Sequence, residues 1–230
     1  MRKMGKNPVL KRKWKDGLDR RMDNPTTPHP GSYAHTHGAE LTALAIPEPT
    51  VPKRRHALIF AYNGAKYVGM QLNEGINSIE KELERALYLS RGIRSSNFGY
   101  LQKIGFTRAA RTDKGVHALG QTISAKLHIE DTKLMDFVDR VNSHLPSDIR
   151  VWDCIKTTAG FNTKTTCNKR TYEYIAPTYI FAPKTAASEN LLDYRLGAEA
   201  HGVLNTHLKT YIGTHNYHNF TSRLEYSNPT

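Results

Sequence analysis

At 230 residues the chain has room for one or two domains, and 33 Lys and Arg against 21 Asp and Glu give a formal net charge of +12, so a polyanion is the expected partner. Two cysteines, Cys154 and Cys167, exclude a disulfide framework, and no apolar run approaches the roughly 18 to 20 residues of a membrane span. The start, "MRKMGKNPVLKRKWK", lacks the apolar stretch of a secretory signal, so a soluble, intracellular protein without a membrane partner is expected.

The charge is uneven. Met1 to Arg21 holds nine basic and two acidic residues, which is +7 of the +12. The blocks "KRKWK" and "RR" fit a nuclear localisation signal or a nonspecific RNA contact. The nucleus is the expected residence, with mitochondrion or cytoplasm as alternatives; Pro8, Asp16 and Asp19 interrupt the acid-poor amphipathic pattern of a transit peptide. From Asn24 to Pro52, six prolines interrupt anything periodic, and such a segment buries too little apolar surface to offset its ordering entropy. Residues 1–52 are therefore expected to form a basic, Pro-rich disordered tail and linker.

Regular structure begins after Lys53. "HALIFAY" reads as a buried strand that stops at Asn63-Gly64, a dipeptide suited to the positive φ angles of a tight turn. Ile79, Leu83 and Leu87 recur at helical spacing, Asn77 with Glu80 has the form of a capping box, and Gly92 is placed to end that helix over one face of a sheet. "QTISAKLHI" alternates polar Thr122, Ser124, Lys126 and His128 with apolar Ile123, Ala125, Leu127 and Ile129, the pattern of a half-buried strand. Leu134, Phe137, Val138 and Val141 predict a second helix, ended by "HLPSD", before a short strand at "DIRVW". In "RTYEYIA" the alternation predicts a strand with Tyr172 and Tyr174 on one face, and Leu204, Leu208 and Ile212 predict a third helix stopping at Gly213. This order of elements is α+β, with repeated βα units that suggest a two-part sheet.

Between the first helix and the strand at 121 lies "RTDKGVHALGQ", residues 111–121. Arg111 and Lys114 adjoin Asp113 and Arg108 is close by, so neighbouring positive charge favours a carboxylate over a carboxylic acid. That suits a nucleophile better than a general acid. Gly115 permits a sharp turn that exposes the acid, and a carboxylate can form a covalent intermediate that splits a difficult bond exchange into steps. The plain alternative is a D-K-G surface turn whose charges pair with one another.

The longer string resembles the motif of the TruA family of tRNA pseudouridine synthases. "AARTDKGV" is similar to the form "CARTDKGV" of the family's eukaryotic branch, and "AYNGAKYVGMQ" at 61–71 resembles its first-strand loop. "NSHLPSDIRV", "FNTKTTCNKRTYEYIAPTYIFA" (161–182) and "GTHNYHNFTS" (213–222) agree with it in order, so the resemblance spans roughly residues 53 to 222. It implies a pseudouridine synthase fold of two halves with a mixed or antiparallel sheet and helices on one face, and half-domains at 53–155 and 156–230. The family's third motif, of the type S-F-hydrophobic-His-Gln-Ile-Arg, would follow residue 222; the sequence ends at Thr230, so the second half is expected to be incomplete.

Carried over residue by residue, the resemblance makes Asp113 the nucleophile and Tyr172 the tyrosine that stacks on the target uracil. Arg111 matches an arginine associated with displacing the target nucleotide, with Thr112 and His117 as further substrate-binding residues and Gln121 shaping the loop. Lys114, Arg108 and Arg170 are the expected RNA contacts. The implied reaction detaches uracil from ribose C1′ and rejoins it through C5, without cofactor or metal; tRNA is the implied partner, with other structured RNA besides. A nucleotide must leave its stack for this, at a cost of a few kcal/mol that aromatic and cationic side chains offset.

Two rival readings stand beside this one. An RNA-binding fragment of such an enzyme would keep the basic tail and the cleft without catalysis. A metal-dependent hydrolase would use pairs among the eleven histidines, His35 with His37 or His215 with His218, but neither closely spaced cysteines nor an HExxH pattern accompanies them.

Overall fold

The computed structural model describes residues 46–73, 75–183 and 191–220. The basic tail, the linker up to residue 45 and the pair His35 and His37 lie outside the described residues, as do the last two residues of "GTHNYHNFTS". The chain divides into two compact units after Lys169.

The first unit is built on a four-stranded antiparallel sheet in the order β2-β3-β1-β4, from β1 (Arg54–Tyr62), β2 (Thr107–Arg108), β3 (Ala118–Leu127) and β4 (Ile149–Lys156). Leu58 of β1 pairs with Ile123 on one side and Cys154 on the other, so three strands bring apolar residues to one face. Helix α1 (Ile79–Leu89) adds Ile79, Leu83 and Leu87 to that face, and α2 (Leu134–His144) adds Phe137, Val138 and Val141. Each fully buried large side chain is worth about 1.5–3 kcal/mol, so this shared core holds the unit together. The α+β class and the two helices read from spacing are present.

Local chemistry departs from the expectations at several points. Asn63-Gly64 is not a hairpin turn: the Asn63 side chain accepts from the Ala65 amide at 3.1 Å and caps a 3-10 turn, Gly64–Lys66. The Asn77–Glu80 capping box does not form. Ser78 is the N-cap of α1, Asn77 donates to the Lys66 carbonyl at 3.2 Å, and Glu80 is drawn into the interior. At the other end of α1 the left-handed residue is Arg91 (φ 61), with Gly92 donating to the Leu87 carbonyl at 2.8 Å and Arg91 to the Tyr88 carbonyl at 2.9 Å, a Schellman arrangement. In β3, Ser124 is buried despite its polarity because its hydroxyl bonds that of Thr107 at 2.7 Å, the contact that holds the short strand β2 in place.

Residues 46–52 have no helix or strand, yet they lie against the first unit. Pro49 is buried, Glu48 accepts from the Ser95 amide and hydroxyl, and the Val51 carbonyl bonds His128 Nδ1 at 2.6 Å. Apolar contact and satisfied polar groups offset the ordering entropy here.

In the second unit, "RTYEYIA" forms no strand: residues 167–177 are irregular, and Tyr172, Tyr174 and Ile175 are exposed. Alternation shows which residues would share a face, but a strand also needs a partner edge, and among the described residues of this unit there is none. A short helix α3 (Thr163–Thr166) closes the first unit, and α4 (Ala198–Lys209) is the long helix of the second. Ile212 falls beyond α4, and Gly213 turns the chain with φ 108.

Candidate active site

Two segments meet where β1 ends and β3 begins: the stretch 63–72 and the loop 109–117. The first is the bed for the second. Gly64 lies so close to the loop that a Cβ would overlap the Val116 carbonyl oxygen, and at Gly69 (φ +103) a Cβ would stand 2.8 Å from the Thr112 carbonyl oxygen. Main-chain bonds stitch the two together: Met70 donates to the Thr112 carbonyl at 3.1 Å and Gly115 to the Tyr67 carbonyl at 3.3 Å. Tyr62 Oη and Thr112 Oγ1 share a bond of 2.7 Å, and Gln121 donates to the Ala110 carbonyl at 3.2 Å. The bed is itself fixed, since Tyr67 donates to Asp148 Oδ1 at 2.8 Å.

Within this frame Asp113-Lys114-Gly115-Val116 forms a β-turn. Val116 donates to the Asp113 carbonyl at 3.3 Å, and Gly115 takes φ +77 at the third position, as a type II turn requires. The turn lifts Arg111, Asp113, Lys114 and His117 into solvent, while Thr112 is half-buried and anchored. Among the described residues, no side chain forms an ion pair with the Asp113 carboxylate.

Arg108 behaves differently from its neighbours. Its guanidinium closes on the carboxylate of Glu80, with Nη2 to Oε2 at 3.0 Å and a second, shorter Nε–Oε1 contact; Glu80 also accepts from the Leu72 amide at 2.9 Å. Burial pushes the Glu80 carboxyl up, while Arg108, the Leu72 amide and the charge of Arg111 pull the other way. One turn on, burial raises the Glu84 carboxyl to about 8, opposed by the Gly99 amide that donates to it at 3.0 Å and helped by the charge of Glu80. The bed and its buried ion pair were not visible in the residue pattern; Gly64 read as part of a local turn, and the one unexplained trace was Gly69 in "AYNGAKYVGMQ".

Arg111, Thr112, Asp113, Lys114 and His117 are thus brought together on one anchored loop, while Arg108, at the end of β2, is turned onto Glu80. Arg170 and Tyr172 belong to the second unit, where both are exposed, Tyr172 to 74 %. In that unit Tyr211 and Tyr217 stack at 6.5 Å, Phe220 meets both edge-on, and Tyr217 donates to the Tyr211 carbonyl at 2.7 Å. His215 and His218 bond locally, to the Ile212 carbonyl and to Asn216, and among the described residues no three His, Cys, Asp or Glu side chains converge as metal ligands.

An anchored loop with an exposed aspartate is a frame for chemistry on a large ligand, and comparison with known proteins gives it a lineage. No family model matches the chain. It is 43% identical over 180 residues to the mouse pseudouridylate synthase 1 homolog, covering 77% of this chain and 41% of that protein. The human pseudouridylate synthase 1 homolog is 44% identical over 169 residues, 72% of this chain and 38% of that protein. The tRNA pseudouridine synthase 1 of Schizosaccharomyces pombe is 47% identical over 137 residues, 60% of this chain and 25% of that protein. The chain belongs to the TruA family of pseudouridine synthases. It spans about two fifths of the length of its mammalian relatives. In the first unit the loop presents Asp113 to solvent at the top of a braced turn.

Proposed function

We propose that the chain is an RNA isomerase that converts specific uridines of tRNA to pseudouridine, with Asp113 as nucleophile. The observation that carries this reading is the exposed Asp113 carboxylate, without an ion pair among the described residues, on a loop fixed from beneath by the bed at 63–72. A nucleophile must be accessible yet held still, because positioning supplies much of the rate of such reactions. Asp113 adds to the target nucleotide as the bond between uracil and ribose C1′ breaks; the base turns, C5 bonds to C1′ as the aspartate is released, the C5 proton is lost to solvent, and N1, freed from the ribose, takes up a proton. Atoms and charge balance without an oxidant or cofactor. Arg111 and Lys114 beside Asp113 supply positive charge for phosphates and His117 a ring nitrogen for hydrogen bonding, and Arg170 and Tyr172 are the contacts proposed from the second unit, Tyr172 stacking on the uracil.

A second reading, RNA binding without turnover, is favoured by one observation: Tyr172 stands in an irregular, exposed segment without the strand that would fix its ring. Release of tritium from 5-tritiated uridine in tRNA separates the two. Release by the chain, lost in Asp113→Ala, supports the isomerase; equal tRNA binding by both proteins with no release from either supports the second reading. The basic block at 11–21 is proposed to direct the protein to the nucleus, and a fusion of residues 1–52 to a reporter that stays cytoplasmic would contradict this.

A further inference from the structure

The face of the sheet opposite the core carries a feature that the loop chemistry does not use. Two irregularities interrupt the ladder on either side of β1. On one side Ile59 pairs with Asp153 and Phe60 with Val151, so Trp152 is an extra residue in β4. On the other side Phe60 pairs with Gln121 and Tyr62 with Ala118, so Leu119 and Gly120 together oppose Ala61. The two bulges therefore flank the same stretch of β1, and a bulge frees main-chain groups and re-aims a side chain. Both effects are used: the Trp152 indole N–H donates to the Leu119 carbonyl at 3.2 Å. Because β1 lies between β3 and β4, this bond carries the indole across β1.

The ring is thus fixed at one edge and open on its face. Trp152 is 57 % exposed, a large apolar area to leave in water, and Leu119 beside it is 89 % exposed. Gly120 leaves open space, since nothing stands within 4 Å of where a Cβ would be. The site lies at the end of the sheet from which the candidate catalytic loop emerges: β3 starts at Ala118, and Leu119 is six positions beyond Asp113, at most about 20 Å of extended chain. Exposed Arg111 and Lys114 supply positive charge on the loop that leads into β3. Core packing does not explain a half-exposed tryptophan whose polar edge is tied down, and an anchored indole on the sheet that carries a basic loop is the chemistry that binds single-stranded nucleic acid.

We infer that Trp152 is an RNA-binding residue, a stacking platform for an unpaired base flanking the nucleotide that Asp113 attacks. This rests on the reading of the chain as an RNA-binding isomerase, and the test separates the two. The chain has two tryptophans, Trp14 and Trp152, so in a Trp14→Phe background the emission comes from Trp152 alone. Titration with an unmodified tRNA transcript is expected to quench that emission saturably, at the same RNA concentration that saturates binding measured by filter retention. Trp152→Ala is expected to weaken binding about 5- to 150-fold, the range for loss of one stacked base, with Trp152→Phe in between. Thermal melting of Trp152→Ala, unchanged from the parent, excludes a folding defect; if that variant melts early, the Trp152→Phe affinity and the quenching decide. RNA binding with unquenched emission, or unaltered affinity in a folded Trp152→Ala protein, overturns the inference and leaves the isomerase reading standing. Failure to bind tRNA at all overturns both.

Discussion

Arg108, in the segment that leads into the candidate catalytic loop, closes its guanidinium on Glu80, a side chain in the first turn of α1 with no exposure to solvent. The pair ties together three pieces of chain, since Glu80 also holds the Leu72 amide at the end of the bed. Removing one partner of such a pair strands the other charge in the interior. Glu80→Ala is therefore expected to lower unfolding free energy by about 3–5 kcal/mol, measured by urea denaturation. A loss under about 1 kcal/mol would show that the pair is not holding the loop.

Gly64 and Gly115 make a contrasting pair. A methyl group at Gly64 would run into the Val116 carbonyl, which is main chain and can yield only if the loop moves, whereas at Gly115 there is open space and the cost is that of a positive φ. Gly115→Ala should cost about 1–2 kcal/mol. Gly64→Ala should cost more and depress uridine isomerisation beyond its effect on stability. Melting temperatures and tritium-release rates of the two variants give the comparison, and equal behaviour would remove the argument that the bed positions Asp113.

Stability should also depend on Glu84. Its carboxyl sits at about 8 in the fold against an ordinary 4.5, so between those values the folded chain holds a proton that the unfolded chain releases. The contribution is fully present below pH 4.5 and is lost as pH rises through about 8. The expected loss from this group across that window is a few kcal/mol. Glu84→Gln should flatten the pH dependence of urea denaturation and leave the protein more stable than the parent at pH 8; a parent curve that rises over this range in step with the variant's would count against it.

Asp113→Asn should act on chemistry alone. The side chain is exposed and, among the described residues, without an ion pair, so unfolding free energy should stay within about 0.5 kcal/mol of the parent. Tritium release from 5-tritiated uridine should fall by at least about 1000-fold, the scale seen when a nucleophile is removed.

The two thiols should differ in reactivity. Burial pushes the Cys154 thiol up to about 12, while Cys167 is half-buried in the segment after α3. A thiol reagent at pH 8 is expected to modify Cys167 in the native protein and Cys154 only on denaturation, because the thiolate is the reacting form. Modification of both at one rate would place Cys154 outside the core.

Much of this protein is written locally. The run "HALIFAY", the i, i+4 spacing of Ile79, Leu83 and Leu87, and the cluster Leu134–Val141 announce β1, α1 and α2 because burial of one face imposes its period on neighbouring residues. "RTDKGVHA" announces the loop, and Gly115 its turn, because a positive φ is a property of one residue. Distance along the chain hides everything else. Glu80 is separated from Arg108 by 28 positions, so two residues that neutralise each other read as half of a capping box and as an RNA contact. Gly64 looks like a turn residue, although its need for a missing side chain is set by Val116, far along the chain. The bulges that turn Trp152 outward depend on how three strands register, and "RTYEYIA" has the alternation of a strand but, among the described residues, forms none. Periodicity and turn chemistry are decided by each segment on its own; contacts that require two segments to arrive at the same place are decided only when the chain has folded.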